Sequence, residues 1–191
     1  MEKLNRPGLL ELEKWYYAEL PQIVGKRGNK HVTGAELAKL MEWKLARSKW
    51  RPRLQAYVEA LPAEAVVEAS TAAFAALGPS AENEAALKSA INALTVLKGV
   101  GPATASAVLS AGDSAAPFMS DEALAMLGGS KAYTLKKYLE LAAALQAKAR
   151  ELSPAERVWT ARDVERALFS ASAEGMQPKA GPAVAGGKRK R

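Results

Sequence analysis

The chain has 191 residues, of which 49% are apolar and 25% charged, and its formal net charge is +7. These values are ordinary for a globular protein of one domain. The chain has no cysteine and one histidine, which excludes disulfides, thiol nucleophiles and metal cages built from several cysteines or histidines. It has no run of about 18 apolar residues and no apolar leader behind its charged N-terminus. We therefore expect an intracellular protein that does not span a membrane and needs no metal or cofactor.

Helical periodicity dominates the sequence, and no alternating β-branched stretch predicts a strand. We therefore predict an all-α fold in a single domain over residues 1–172, and we expect a monomer. The predicted helices, nine in number, cover residues 9–20, 33–50, 52–61, 62–77, 80–94, 102–111, 120–127, 133–152 and 160–173. Pro21, Gly25 and Gly28 predict a loop between the first two. Side-chain caps are predicted at Thr33 (a capping box with Glu36), Ser80, Ser120 and Thr160.

The net charge is distributed unevenly along the chain. Residues 1–55 carry 12 Lys/Arg and 6 Glu, whereas residues 56–172 carry 10 Lys/Arg and 13 Asp/Glu. Residues 173–191 are rich in Gly, Pro and Ala and end in KRKR, so we predict a disordered basic tail that supports nuclear import or nucleic-acid contact. Without nuclear import, the location would be cytoplasmic. Clustered positive charge favours a nucleic-acid partner over mere solubility.

A glycine-flanked hairpin joins two predicted helices at Leu97-Lys98-Gly99-Val100-Gly101-Pro102. Proline at the first helical position loses no hydrogen bond, and glycine leaves the helix N-terminus open to an approaching group. Such an end binds anions through free amides, and a lysine beside it adds a full charge. We predict that residues 97–102 hold a DNA phosphate, with contacts from Lys98, Gly99, Val100, Gly101, Ala103 and Thr104. The alternative is a tight turn between helices that binds nothing.

This hairpin resembles the helix-hairpin-helix motif, and Ala105, Val108 and Leu109 fit the alanine-rich helix that follows it. The resemblance extends to the helix-hairpin-helix DNA glycosylases, which carry a catalytic aspartate about twenty residues after the hairpin, where this chain has Asp121. The segments TGAELAKLMEWKLARSKWRPRL, LKGVGPATASAVLSA and FMSDEA resemble more narrowly the Amun-like family of eukaryotic glycosylase-type proteins, over most of residues 10–172. This resemblance implies a helix-hairpin-helix glycosylase-like helical bundle.

Asp121 has two interpretations. Cleavage of an N-glycosidic bond develops positive charge on the sugar, and a facing carboxylate stabilises that charge or activates water. An aspartate in the first turn of a helix also stabilises the helix dipole without any catalytic role. Bifunctional glycosylases of the superfamily carry a lysine where this chain has Ala103. The resemblance therefore implies a monofunctional hydrolase, which predicts no covalent complex trapped by borohydride. One branch of the superfamily binds an iron–sulfur cluster through cysteines, and this chain, which has no cysteine, does not fit that branch.

A basic segment with interleaved tryptophans runs from residue 26 to residue 53. Basic and aromatic side chains together suit contact with an unstacked base and its flanking phosphates. The predicted phosphate contacts are Lys44, Arg47, Lys49, Arg51 and Arg53, and the candidates for a base pocket are Trp43, Trp50 and His31. Burial in the core is the alternative for each tryptophan, and a purely structural loop position is the alternative for the histidine. Tyr133 and Tyr138 are predicted to pack within the fold.

Three functions are compatible with these patterns. The first is a monofunctional glycosylase that flips a base and uses Asp121. The second is a catalytically silent glycosylase-like module that only binds DNA. The third is a protein-interaction role in which the hairpin is merely structural. The position of the Asp121 carboxylate, in a cleft or toward solvent, distinguishes the first from the second.

Overall fold

The computed structural model describes residues 8–48, 51–79, 81–128, 132–153 and 158–175. All regular structure in these ranges is helical, which confirms the all-α prediction. Ten α-helices and one π-helical segment follow each other: α1 (Leu9–Lys14), the π-helix (Trp15–Glu19), α2 (Leu20–Gly25), α3 (Gly34–Arg47), α4 (Pro52–Glu59), α5 (Ala63–Leu77), α6 (Glu84–Thr95), α7 (Pro102–Gly112), α8 (Asp121–Met126), α9 (Leu135–Leu152) and α10 (Ala161–Ala173). The first three are continuous, so the described chain forms the nine predicted helical segments.

The first helical segment is longer than the sequence predicts. Pro21 lies inside it, at the start of α2, directly after the π-helical turns. A π-helix changes the hydrogen-bonding register, and proline is tolerated in the first turn of a helix because its missing donor has no acceptor there. The predicted loop therefore begins only after Gly25. The widened turns also let the consecutive residues Trp15 and Tyr16 both face the core, while Tyr17 is partly exposed.

Local capping explains most of the other helix starts. Thr33 and Glu36 form the predicted capping box of α3, Ser120 caps α8 and Thr160 caps α10. The prediction for α6 was wrong, because Asn83 caps that helix three residues beyond Ser80, and its side chain accepts from the amides of Ala85 and Ala86. Asparagine is at least as good an N-cap as serine, so the later residue is the better start.

The core surrounds α7, the helix that follows the hairpin. Every side chain from residue 103 to residue 111 is buried, and α7 contacts α2, α3, α5, α6 and α9. The side chains of α7 are small or apolar and none is charged, and a helix without a charged face is stable only when it is surrounded in this way. The central position of α7 fixes the hairpin at its N-terminus to the rigid core.

No single described helix is long and apolar enough to span a membrane; α4 and α5 together reach that length and composition, but they are bent by 96° at their junction. Residues 176–191, nearly all of the predicted basic tail, lie outside the described residues.

Candidate active site

The hairpin between α6 and α7 is a tight turn whose valine points into the core. The amide of Val100 donates to the carbonyl of Leu97 at 3.0 Å, and the Val100 side chain is buried. Gly101 is the N-cap of α7, and its carbonyl accepts from the amides of Thr104 and Ala105. The core thus holds the turn while the N-terminus of α7 faces outward, an arrangement suited to an anionic group.

The two glycines of the hairpin have different structural roles. Gly99 has a φ of +87°, and a Cβ atom there would lie 2.9 Å from the Cβ of Tyr57. Both its left-handed conformation and its close neighbour require the absence of a side chain. Gly101 has extended backbone, and a Cβ atom there would meet nothing within 4 Å. Its lack of a side chain leaves open space at the helix N-terminus.

A cavity of about 210 Å³ lies between the hairpin, the end of α3 and the start of α8. It is far larger than a single water molecule needs, and it has room for a group of the size of a heterocyclic ring. The hairpin and α7 contribute one part of the wall, and the basic segment around the end of α3 contributes another. The lining residues are Lys44, Leu45, Arg47, Ser48, Arg51, Leu54, Gly99, Gly101, Pro102, Ala103, Thr104, Phe118, Met119, Ser120, Asp121, Glu122 and Tyr133.

Asp121 lines this cavity at the first residue of α8. One carboxylate oxygen, Oδ2, accepts from the Ser48 hydroxyl at 3.0 Å, and the other, Oδ1, accepts from the Tyr133 hydroxyl. Ser120 caps the helix in place of Asp121 by accepting from the amide of Ala123. The carboxylate is therefore held at both oxygens, and its orientation does not depend on a capping role.

Tyr133 and Ser48 are site residues that the sequence reasoning missed. Tyr133 was expected to pack on the long helix, but it lies two residues before α9 begins at Leu135, and its hydroxyl faces Asp121. Burial raises the pKa of Tyr133 to about 12, and the hydrogen bond to Asp121 contributes to the increase. Its phenol consequently remains a proton donor at neutral pH. Ser48 is the C-cap residue of α3, where no helical pattern distinguishes it.

Lys44 and Arg51 bring positive charge to the cavity from α3 and from the start of α4. Lys44 is partly buried, and this burial, together with the charge of Arg51, lowers its pKa to about 8 against the opposing effect of Asp121. Arg51 and Arg53 are both exposed, and Arg53 does not line the cavity. Lys98 lies outside the lining as well, with its amine 4.6 Å from the centre of the Tyr57 ring.

The prediction that Arg47 contacts phosphate is corrected by its burial. Its side chain is only 3% exposed, and its guanidinium pairs with Glu165 at 3.3 Å and with Glu13 at 3.2 Å. It also lies 3.5 Å from the centre of the Phe169 ring. Burial alone would lower the pKa of Arg47, but the facing carboxylate of Glu165 raises it above its ordinary value. This charge is paired inside the protein, where it links α3 to α1 and α10, and it is not presented to a phosphate.

Trp43 is likewise a core residue and is wrong as a candidate for the base pocket. It is fully buried, its ring stacks on Tyr16 at a centroid distance of 3.5 Å, and its indole N–H donates to Glu13 at 3.0 Å. The alternative of core burial is confirmed for this tryptophan. Lys49 and Trp50, the other candidates near the end of α3, lie outside the described residues.

His31 also lies away from the cavity. Its Nδ1 atom is 2.8 Å from the carbonyl oxygen of Asn29, and its own carbonyl accepts from Arg27 at 2.6 Å. These contacts fit the alternative of a structural loop histidine before α3, and they do not place it at a base pocket. Ala103 and Thr104 do line the cavity, but their side chains are buried.

Among the described residues, no group of three or more His, Cys, Asp or Glu side chains is placed to hold a metal ion. Compared with protein-family models, with curated proteins and with solved structures, the chain gives no match.

Proposed function

We propose that the chain is a DNA glycosylase of the helix-hairpin-helix type, which hydrolyses the N-glycosidic bond of a damaged or modified base. One observation carries the proposal. The Asp121 carboxylate lies in a cavity that is also lined by the glycine hairpin and the N-terminus of α7. A phosphate bound at the hairpin would bring an unstacked nucleotide of the same strand within reach of the carboxylate.

The proposed chemistry uses the residues that surround this carboxylate. Departure of the base leaves an oxocarbenium-like sugar, whose positive charge Asp121 stabilises electrostatically while water attacks. Ser48 and Tyr133 hold its two oxygens, so the negative charge is already oriented before the substrate arrives. Preorganised charge of this kind costs no reorganisation in the transition state. The hairpin itself offers no amine at Ala103, so base release is assigned to water.

Electrostatics of the surrounding surface supports DNA as the partner. Arg51, Arg53 and Lys98 are all exposed around the hairpin and the start of α4. Such charges attract the phosphate backbone regardless of sequence, and they make affinity fall with salt. The alternative of a silent DNA-binding module shares this surface, and it differs only in what Asp121 does. The experiment must therefore separate base release from binding.

The test is a base-release screen with a matched pair of carboxylate variants. Duplex and single-stranded oligonucleotides would each carry one of five lesions: uracil, oxidised guanine, alkylated adenine, hydroxymethyluracil or mismatched thymine. Alkali would reveal abasic sites. We expect release by the wild type and by Glu68→Gln, which changes an exposed carboxylate on α5. We expect no release by Asp121→Asn, which keeps the size of the side chain and should keep DNA affinity.

Two results would decide against the glycosylase. Release by Asp121→Asn at the wild-type rate would remove the carboxylate from the mechanism. Salt-dependent binding by all three proteins, with no release from any substrate, would favour the silent module. Failure to bind DNA even at low salt would reject both forms of the proposal and leave the hairpin a structural turn.

A further inference from the structure

Lys44 occupies a position in the cavity that base release does not use. It lies on α3, one turn before the helix ends at Arg47, and it lines the cavity from that helix. Of the described residues that line the cavity, it is the only one that carries an amine. Within the described part of the chain, that amine forms no ion pair and no hydrogen bond. Burying a polar group without a hydrogen-bond partner reduces the stability of the fold. A lysine kept in such a position therefore favours a functional role.

The surroundings of Lys44 lower the pKa of its ammonium group. Its pKa of about 8 follows from burial and from the nearby guanidinium of Arg51, and the carboxylate of Asp121 opposes both effects. An ordinary lysine is almost completely protonated at neutral pH, whereas a group with this pKa supplies an appreciable fraction of unprotonated amine. The other charged or titratable groups that face the cavity are Arg47, Glu122 and Tyr133.

We propose that the Nζ atom of Lys44 is a nucleophile that captures the aldehyde of an abasic deoxyribose in this cavity as an imine. The inference rests on the proposed function, because base release at Asp121 would generate that sugar beside the amine. It adds a covalent step after hydrolysis, on a residue of α3 and not of the hairpin. The absence of an amine at Ala103 therefore does not exclude a covalent complex.

The step balances with no further reactant. The ring-opened sugar presents an aldehyde at C1′, and the nitrogen lone pair of Lys44 attacks that carbon. A C–N bond forms, the carbonyl oxygen takes up protons and leaves as water, and a protonated imine remains. Water reverses the reaction and returns both the amine and the aldehyde. While the imine lasts, the reactive abasic product is held on the protein.

The test starts from DNA in which the abasic site already exists, so it does not depend on base release. A uracil-containing duplex would be converted beforehand by a separate uracil-releasing enzyme and then incubated with the full chain and sodium borohydride. Borohydride reduces the imine to a stable amine and leaves a covalent complex visible on a denaturing gel. Lys44→Arg keeps the positive charge but cannot form the imine. Lys39→Arg makes the same change on α3 outside the cavity.

We expect a trapped complex with the wild type and with Lys39→Arg, and a loss of roughly tenfold or more with Lys44→Arg. Digestion and mass spectrometry should place the modified residue at Lys44, and the trapped yield should rise as the pH increases through about 8. Equal trapping by Lys44→Arg, or modification at the N-terminus or another lysine, would overturn the proposal. Peptide mapping decides the question even if the variant folds poorly.

The two proposals fail in distinguishable ways. Base release in the screen without trapping on abasic DNA would leave the glycosylase standing and remove Lys44 from it. Trapping at Lys44 without base release from any lesion would support the capture of abasic DNA and count against the glycosylase. If the protein binds DNA in a salt-dependent way but shows neither base release nor trapping, both proposals are rejected and the protein is a binding module.

Discussion

The two walls of the cavity differ in how their residues come to face it. On one wall, the hairpin presents backbone whose position depends on a few adjacent residues: a glycine at φ +87°, a buried valine and a proline at the start of α7. On the other wall, side chains of α3 are divided between the core and the cavity. Lys44 lines the cavity and Trp43 is fully buried. Arg47 also borders the cavity, but it is buried and its charge is paired with Glu165 and Glu13.

This difference shows that local and long-range determinants meet in one site. The hairpin takes its shape from neighbours in the chain, so its role follows from a short pattern. The roles of the α3 side chains depend on carboxylates from α1 and α10, such as Glu165, which lies 118 residues away from Arg47. Lys44 and Arg47, three positions apart on α3, thus have different roles: Arg47 pairs with carboxylates in the core, and the amine of Lys44 lines the cavity.

The largest expected effect is the loss of stability caused by Arg47→Met, which tests whether this α3 residue belongs to the core. Glu165 is completely buried and pairs with this guanidinium. Removal of one partner of a buried ion pair leaves an uncompensated charge, so we expect the free energy of unfolding to fall by about 3–5 kcal/mol. Urea denaturation measures the loss. Arg53→Met, at an exposed position, serves as the control and should change stability by about 0.5 kcal/mol or less.

Equal stability of these two arginine variants would contradict the assignment of Arg47 to the core and of Lys44 to the cavity. It would mean that Arg47 is not committed to the core and is available to DNA, as its sequence context suggests. A double variant sharpens the result, because Arg47→Met combined with Glu165→Gln removes both charges. We expect it to be more stable than Arg47→Met alone, since no buried charge is left without a partner.

The next effect concerns the two hairpin glycines. Gly99→Ala places a Cβ atom at positive φ and 2.9 Å from Tyr57, and we expect a loss of stability of about 1–2 kcal/mol from the backbone conformation alone. Gly101→Ala meets no atom within 4 Å, and it should cost about 0.5 kcal/mol because alanine is a poor N-cap. Thermal unfolding measures both.

DNA affinity should rank these glycine variants in another order. The Cβ atom of Gly101→Ala enters the space in front of the N-terminus of α7, so this variant should bind DNA more weakly although its fold is nearly as stable as the wild type. Titration of a labelled duplex at two salt concentrations tests this. Wild-type affinity in a folded Gly101→Ala protein would show that phosphate does not approach at that residue.

Much of the fold was predictable because its determinants are local. The capping box of Thr33, the caps at Ser120 and Thr160, and the proline at the start of α7 each define a helix start from a few residues. The error at Pro21 has a tertiary cause. The π-helical turns before it are stabilised by burial of Trp15 and Tyr16, and such packing overrides the local preference of proline to end a helix.

The candidate site was predictable on the hairpin side and only partly on the other. The spacing from Gly101 to Asp121 identified the two groups that the cavity brings together. Tyr133 was missed because it precedes its helix and belongs to no periodic pattern. Trp43 and Arg47 were misassigned because density of charge along a segment does not reveal which face of the helix a distant glutamate covers.

The smallest expected effect is the change in stability caused by Lys44, and it is tested by its dependence on pH. Below about pH 8, folded protein carries a charged Lys44 in a partly buried position, which reduces stability. Between about pH 8 and 10.5, the folded state has released this proton while the unfolded state still binds it, so the cost disappears as the pH rises. Lys44→Met should thus be more stable than the wild type at pH 7, by about 1 kcal/mol because the side chain is partly solvated.

Urea denaturation of Lys44→Met and wild type at pH 7, 9 and 10.5 measures this difference, with Lys88→Met on the exposed face of α6 as the control for methionine itself. The advantage of Lys44→Met should shrink steadily and be nearly gone at the highest pH. A constant advantage at all three values would mean that packing of methionine causes it, and that Lys44 lies in water like any surface lysine. If Lys44→Met were less stable than the wild type, the charge of Lys44 would stabilise the fold, as the charge of Arg47 does. Only an advantage that fades as the pH rises agrees with a lysine at the cavity whose pKa is lowered by burial.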